Sequence, residues 1–259
     1  MTGLFTDMDQ YARVRHEYGV PKVMWCYWSG GEMVKSRKKS FECLIKHIGI
    51  PVFLVNKRNF RRLEVSDIPI HPAFELLSAV HQSDYVRAYL WHFYGGAWHD
   101  IKATKVSFSK SWANFKDPEV YLVGRPEYPN GPARVLDNRG RWMPDYWKDL
   151  VSVIAWIGRP QTPFSEEVLK NFHFILDQHI DLLRKNPGRH PREKRIEPLH
   201  GLRRQLIKVS YYFRGRDVAY PLPWTLFGNI FHPLNLQFHS HVLKGLPHDK
   251  VKNAGMYHR

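Results

Sequence analysis

Near the start of the chain, the hydrophobic residues follow the pattern of a strand, a helix and a second strand. Residues 22–27 form an apolar run rich in β-formers after Pro21, which predicts a buried strand. A turn containing Gly30 and Gly31 follows, residues 32–47 have helical composition, and Gly49 precedes a second apolar run at residues 51–55. This order is typical of a βαβ unit in a parallel sheet.

The next apolar residues recur at helical spacing, from residue 72 to residue 94. Within this stretch either Ser83 or Asp84 is suited to cap a new helix. The pair Gly95 and Gly96 then ends the helix, as glycine often does at a helix C-terminus. Residues 97–101 predict a short strand that delivers Asp100 to its end.

The remaining pattern extends the same α/β arrangement. Strands are predicted at residues 121–123 and 151–157, an amphipathic helix at residues 164–184, and a basic, proline-rich loop at residues 186–195. We therefore expect one α/β domain over residues 21–259, with a mostly parallel sheet flanked by helices. Residues 1–20 are expected to form a leader onto this domain, and beyond about residue 186 the pattern assigns no further elements.

Composition narrows the functional classes. The chain has 259 residues, 43% of them hydrophobic, which excludes a disordered or fibrous protein. Its net charge of +15 favours anionic partners: nucleic acid, acidic lipid surfaces, anionic glycans or sugar nucleotides. Cys26 and Cys43 are too few for a disulfide framework or a zinc site and are expected to be reduced. No apolar run approaches the roughly 20 residues of a spanning helix, so we expect a cytoplasmic protein whose membrane contacts, if any, are peripheral.

Candidate chemistry is concentrated between residues 83 and 102. Asp84 and Arg87 are three residues apart, so on a helix they share a face and can pair. Asp100 follows the glycine pair at the C-terminal end of a strand, where open α/β sheets bind ligands. Taken singly, these features also fit a surface ion pair and a simple helix cap. Their combination in this order favours a binding site.

The order of these residues resembles the DXD-type glycosyltransferases, which include bacterial capsular polysaccharide synthesis proteins and fungal Golgi α-mannosyltransferases. The resemblance lies in residues 83–87 (SDYVR), residues 94–102 (YGGAWHDIK) and the opening at residues 20–30 (VPKVMWCYWSG). A weaker similarity follows at residues 153–160 (VIAWIGRP). Together these segments cover about residues 20–185.

The resemblance implies a GT-A fold and a nucleoside diphosphate sugar as donor. Donor-binding residues would then include Tyr27, Trp28 and Gly30 beside the nucleoside. Asp84 and Arg87 would support the base, ribose or phosphates, and Gly95 and Gly96 would allow close backbone approach. Asp100 matches the first Asp of the motif, which touches the ribose or a metal ion, and is the candidate catalytic residue. The acceptor would be a glycan, lipid-linked or protein-linked, in polysaccharide or glycoconjugate synthesis.

Lys102 departs from the family pattern, because it stands where the second Asp of the motif usually binds the metal. A protonated lysine cannot ligate Mn²⁺ or Mg²⁺, so dependence on a divalent cation is left open. One possibility is that other ligands complete a metal site together with Asp100, and His239 and His241 are conceivable ligands of this kind. The other is that Lys102 replaces the metal as a fixed positive charge.

The acceptor side is less defined. Asp137, Asp145 and Asp149 lie where GT-A enzymes commonly build it, and Trp142, Tyr146 and Trp147 interleave with them. Such aromatics suit sugar faces, and they equally suit an ordinary core. A basic segment could touch an anionic membrane, a polyprenyl phosphate or an acidic glycan, or form solvated surface; its residues are Arg189, Arg192, Lys194, Arg195, Arg203, Arg204 and Lys208.

Two rival hypotheses remain at the level of sequence. The charge and the aromatic content permit a nucleic-acid-binding protein, but no helix-turn-helix, zinc-finger or RNA-recognition signature is present. The departure at Lys102 permits a catalytically inactive relative of the glycosyltransferases that binds a glycan or a nucleotide.

Overall fold

The computed structural model describes residues 3–249 except residues 6, 130, 132–134, 138, 191–201, 203, 204, 207, 208 and 210–219. Its strands are β1 (Gly3–Phe5), β2 (His16–Glu17), β3 (Val20–Pro21), β4 (Met24–Tyr27), β5 (Pro51–Val55), β6 (Gly96–His99), β7 (Leu122–Pro126), β8 (Val151–Gly158) and β9 (Val242–Leu243). Its helices include α1 (Lys35–His47), α2 (Lys57–Phe60), α3 (Ala79–Tyr94), α4 (Pro163–Lys185) and α5 (Leu226–Gln237).

A mostly parallel sheet organises the described chain. Its seven strands lie in the order β1-β5-β4-β6-β8-β7-β9. Four neighbouring pairs are parallel, and β8 runs antiparallel to both β6 and β7. The fold is therefore α/β, as the alternation of strands and helices predicts, and it is compatible with a Rossmann-like arrangement.

The two faces of the sheet bury separate hydrophobic clusters, because successive side chains of a strand point to opposite sides. In β4, Trp25 packs into the cluster that contains α3, α4 and α5. Cys26 packs into the other cluster, which contains α1 through Phe41 and Leu44. The predicted βαβ unit at residues 22–55 is confirmed: β4 and β5 are parallel, and α1 connects them.

Helix α3 begins earlier than the sequence pattern suggests. Its N-cap is Ser78, whose hydroxyl accepts a hydrogen bond from the backbone of His81, so capping by Ser83 or Asp84 is wrong. A short 3-10 helix, Pro72–Leu76, precedes it. The predicted end is confirmed, since Gly95 has φ 65° and donates its N–H to the last turn.

Both ends of the described chain contribute to the sheet. β1, within the segment expected as a leader, pairs with β5 as an edge strand. β9 pairs with β7, and α5 buries Phe227 and Phe231 against the core. Helix α5 is not predicted from the sequence, because Pro233 interrupts its pattern and the surrounding residues show weak periodicity. Within the part of the chain that the structure describes, every helix is too short or too polar to span a bilayer.

Candidate functional site

A cavity of about 290 Å³ opens at the C-terminal ends of β4 and β6. The helices next to these two strands in the sequence lie on opposite faces of the sheet. Helix α1, which follows β4, packs on one face, and α3, which precedes β6, packs on the other. The strand order reverses at β4, since β5 lies on one side of it and β6 on the other, and open α/β sheets commonly bind ligands at the carboxyl ends of the strands at such a point. The topology therefore brings two segments some 70 residues apart in the sequence together as walls of one cavity.

One wall of the cavity is the turn after β4. Tyr27, Trp28, Ser29 and Gly30 line it, so the structure brings together the predicted donor-binding residues of this segment. Tyr27 donates its hydroxyl to Gln82 Oε1 at 3.1 Å. The indole of Trp28 donates to a backbone carbonyl of the same turn at 3.0 Å, which holds the ring in place.

The opposite wall is the segment that follows β6. Trp98, Asp100 and Ile101 line the cavity there. The backbone N–H of Asp100 donates to Ile154 O on β8 at 3.0 Å, and its Oδ1 accepts from Trp98 Nε1 at 3.2 Å. These two bonds fix a carboxylate that remains 24% exposed.

Arg87 and Asp84 form a buried ion pair on α3 beneath this wall. Arg87 Nη2 donates to Asp84 Oδ1, and Nη1 donates to Val153 O on β8 at 2.8 Å. The guanidinium also lies over the rings of Trp98 and Phe227, at 5.3 and 4.4 Å from their centroids. Arg87 lines the cavity, whereas Asp84 lies behind it and is 3% exposed. The prediction that Asp84 contacts the donor is therefore corrected: its carboxylate contacts Arg87 and orients it.

Two cations surround the carboxylate of Asp100. Lys102 Nζ lies 3.6 Å from its Oδ2, and Arg87 Nη1 lies 4.0 Å from its Oδ1. Burial raises the pKa of Asp100, but Lys102 and Arg87 outweigh it, so the pKa lies below its ordinary value. For Asp84 the balance is opposite, because deeper burial raises its pKa despite the partner.

These side chains do not fit a divalent cation. Mg²⁺ and Mn²⁺ take oxygen ligands, usually carboxylates with uncompensated charge. Asp100 is already flanked by Lys102, and Asp84 is bound by Arg87. Among the described residues, no three His, Cys, Asp or Glu side chains converge as ligands.

The predicted histidine ligands, His239 and His241, lie at the other end of the sheet from Asp100. The carbonyl of His241 accepts from the backbone of Tyr121 at 2.9 Å, immediately before β7 begins. β6 and β7 begin at the same end, since the first residue of each pairs with the last residue of β8. Asp100 follows the opposite end of β6, so the proposed ligation by these histidines is wrong.

Gly95 and Gly96 also lie at that far end and do not line the cavity. A Cβ on Gly95 would come within 2.5 Å of Pro160 Cδ, and one on Gly96 within 3.1 Å of Val23. Both glycines have positive φ. Their role is the tight packing of the helix end against the sheet, which corrects the expectation of donor contact.

The acceptor-side candidates lie on the sheet edge that carries Asp100. They belong to the connection from β7 to β8, and β8 begins at that edge. Asp145 and Asp149 line a separate, more open depression with Trp142 and Tyr146. Asp137 is a loop-stabilising residue, since it accepts from two backbone N–H groups and from the Arg141 side chain.

Arg37 is a lining residue that the sequence analysis missed. It lies in the first turn of α1, is 7% exposed, and donates to Ile101 O at 2.5 Å. Its guanidinium lies 6.0 Å from the Trp28 ring, so it bridges the two walls. The signal that could have identified it is the basic start of a helix that follows a strand and a glycine turn, where anions commonly bind. Of the predicted basic segment, Arg189 is described, and the other residues named there lie outside the described residues.

Comparison of the chain with protein-family models, with curated proteins and with solved structures found no match.

Proposed function

We propose that this protein is a glycosyltransferase of GT-A type that uses a nucleoside diphosphate sugar, with its donor in the cavity between β4 and β6. The observation that carries the proposal is the position of that cavity. The residues after β4 and those around Asp100, which carry the two blocks of family resemblance, form its two walls at a reversal of strand order.

The chemistry of the two walls suits such a donor. Tyr27 and Trp28 offer aromatic surface for the base. Asp100, kept ionised by its surroundings, can accept hydrogen bonds from ribose hydroxyls. Arg37 supplies positive charge at the start of α1, a helix without a side-chain cap at its N-terminus, where an anion is stabilised by the helix dipole. Glycosyl transfer leaves a diphosphate, whose developing charge such groups stabilise.

The acceptor is proposed to approach from the connection between β7 and β8. Asp145 and Asp149 lie there on the sheet edge that carries Asp100. A glycan or lipid-linked acceptor fits the depression next to these carboxylates, which contains aromatic rings. The basic segment around Arg189 would favour a peripheral contact with an anionic membrane at the cytoplasmic side, in polysaccharide or glycoconjugate synthesis.

A second candidate is a catalytically inactive protein that binds a nucleotide or glycan in the same cavity. The observation that favours it is Lys102, which occupies the position of a usual motif carboxylate and pairs with Asp100. A basic nucleic-acid-binding protein is the third and weakest candidate, supported by the charge of +15 alone.

The test is incubation of the full chain with a panel of nucleoside diphosphate sugars, with release of the nucleoside diphosphate measured. We expect release from at least one donor, and Asp100→Asn should reduce it at least about a hundredfold, comparable to removal of one polar transition-state contact. Asp181→Asn is the comparison for the donor site, because Asp181 is exposed on α4 and lines neither the donor cavity nor the depression near Asp145. Binding without release would favour the inactive protein, and a folded Asp100→Asn variant with full turnover would refute the assignment of the site.

A further inference from the structure

The negative charge of the Asp100 carboxylate is balanced by two cationic side chains of the protein. Lys102 Nζ and Arg87 Nη1 lie within 4.0 Å of its two oxygens. Asp84, the other buried acid beside Arg87, is bound to that arginine. The two carboxylates and two cations of this group therefore sum to zero charge, where a site for a divalent cation would retain negative charge.

We infer that Lys102 takes the place of a divalent cation, so that this site binds the diphosphate of its donor without a metal. The inference rests on the proposed function. It goes further in two respects. It states which group balances the negative charge of the diphosphate leaving group, and it states that the protein binds the nucleoside diphosphate sugar without a metal ion.

Lys102 lies beside the cavity and is not one of its lining residues, but its ammonium is 3.6 Å from Oδ2 of Asp100, which lines the cavity. Lys102 follows Asp100 by two residues, and its N–H donates to Asp100 O at 2.6 Å in a tight turn. Its side chain is 20% exposed, so the ammonium is partly shielded from water without being sealed off. A fixed charge in such surroundings acts on a nearby anion more strongly than one in bulk water.

A divalent cation would meet opposition at the same place. It would have to displace Lys102 from Asp100 or bind beside two like charges. Glu32 also lines the cavity, yet it is exposed, and no set of three ligating side chains forms among the described residues. This site therefore differs from the metal-binding motif in two ways: Lys102 replaces a carboxylate, and the charges of Asp84, Arg87, Asp100 and Lys102 sum to zero.

Calorimetric binding of uridine and guanosine diphosphates to the full chain tests the inference, with excess chelator and with Mn²⁺ in parallel. For the wild type we expect the same Kd in both conditions, within about threefold. Lys102→Asp removes the cation and adds a carboxylate beside Asp100. It should bind at least about tenfold more weakly in chelator and recover at least about tenfold with Mn²⁺.

Two further variants separate the causes. Lys102→Met should also lose affinity in chelator, though less than Lys102→Asp because it adds no negative charge, and it should gain nothing from Mn²⁺ because it adds no ligand. Lys105→Asp is the matched control: it changes an exposed lysine of the same segment by the same charge and should show no Mn²⁺ response. Circular dichroism of each variant verifies the fold.

Wild-type binding that requires Mn²⁺ would overturn the inference and leave the proposed function intact. An equal Mn²⁺ response in Lys102→Asp and Lys105→Asp would also overturn it. Binding of no nucleotide under either condition would refute the proposed function, and the inference would fall with it.

Discussion

Asp84→Asn isolates the buried ion pair beneath the cavity. The change keeps the shape of the side chain and removes its charge, which leaves Arg87 at 8% exposure without its closest counter-ion. Removal of one partner from a buried pair typically costs about 3–5 kcal/mol of unfolding free energy, because the remaining charge stays buried. Two effects reduce this cost: Asp100, at 4.0 Å from Arg87, is a second counter-ion, and loss of the Asp84 charge relieves the burial penalty that raises the pKa of Asp84. We therefore expect the lower end, about 3 kcal/mol.

The assay is equilibrium unfolding in urea, followed by the fluorescence of buried tryptophans such as Trp98 and Trp156. A loss of about 3 kcal/mol corresponds to a fall in melting temperature of roughly 6–12 °C in a chain of this size. The double variant Asp84→Asn with Arg87→Met should be more stable than Asp84→Asn alone, because no unpaired charge stays buried and a thioether packs well against aromatic rings.

Asp181→Asn provides the matched control. Asp181 pairs with Arg184 on α4 at the same helical spacing, but both side chains are exposed. Exposed pairs contribute at most about 1 kcal/mol, and pairs at this spacing usually less. If Asp84→Asn destabilises the protein no more than Asp181→Asn does, then the buried pair does not hold the floor of the site and the reasoning is wrong.

Two other predictions concern the scaffold. Gly95→Ala should lower the free energy of unfolding in urea by at least about 2 kcal/mol, since its Cβ would overlap Pro160 at a positive φ. Gly140 also has a positive φ but has open space around it, so Gly140→Ala should lower the free energy by about 1 kcal/mol. Equal losses would contradict the packing role of Gly95. Burial lowers the pKa of His81 from 6.5 to about 4. Between these two pH values the imidazole is protonated in the unfolded chain and stays neutral in the folded chain. Stability should therefore fall as the pH decreases from about 6.5 to about 4, and His81→Gln should flatten this dependence; an unchanged slope would count against it.

Much of the sheet could be predicted from local pattern. Apolar runs bounded by glycine and proline identified β4, β5 and β8, because a strand buried on both faces leaves a continuous hydrophobic signal. β1 and β9 have three and two residues, too short for any period to appear. Their place at the two edges of the sheet follows from pairing with distant strands, which is a tertiary interaction.

The candidate site divides in the same way. Residue type and spacing were enough to single out Arg87 and Asp100, because an ion pair on one helix face and an acid at a strand end are local features. Trp28 was expected at the site only from the family resemblance. Spacing could not separate a residue that lines a cavity from one that supports it: Asp84 lies behind Arg87, and Gly95 lies at the far end of β6.

Local patterns in the sequence were sufficient for the α/β alternation and for the residue types at the two walls of the cavity. Three features depend on tertiary packing: the two walls face each other across one cavity, Arg37 bridges them, and His239 and His241 lie far from Asp100. The physical reason is that strand order and crossover side determine which loops converge at a sheet edge. Those choices depend on the packing of the whole core, and no local period of the chain encodes them.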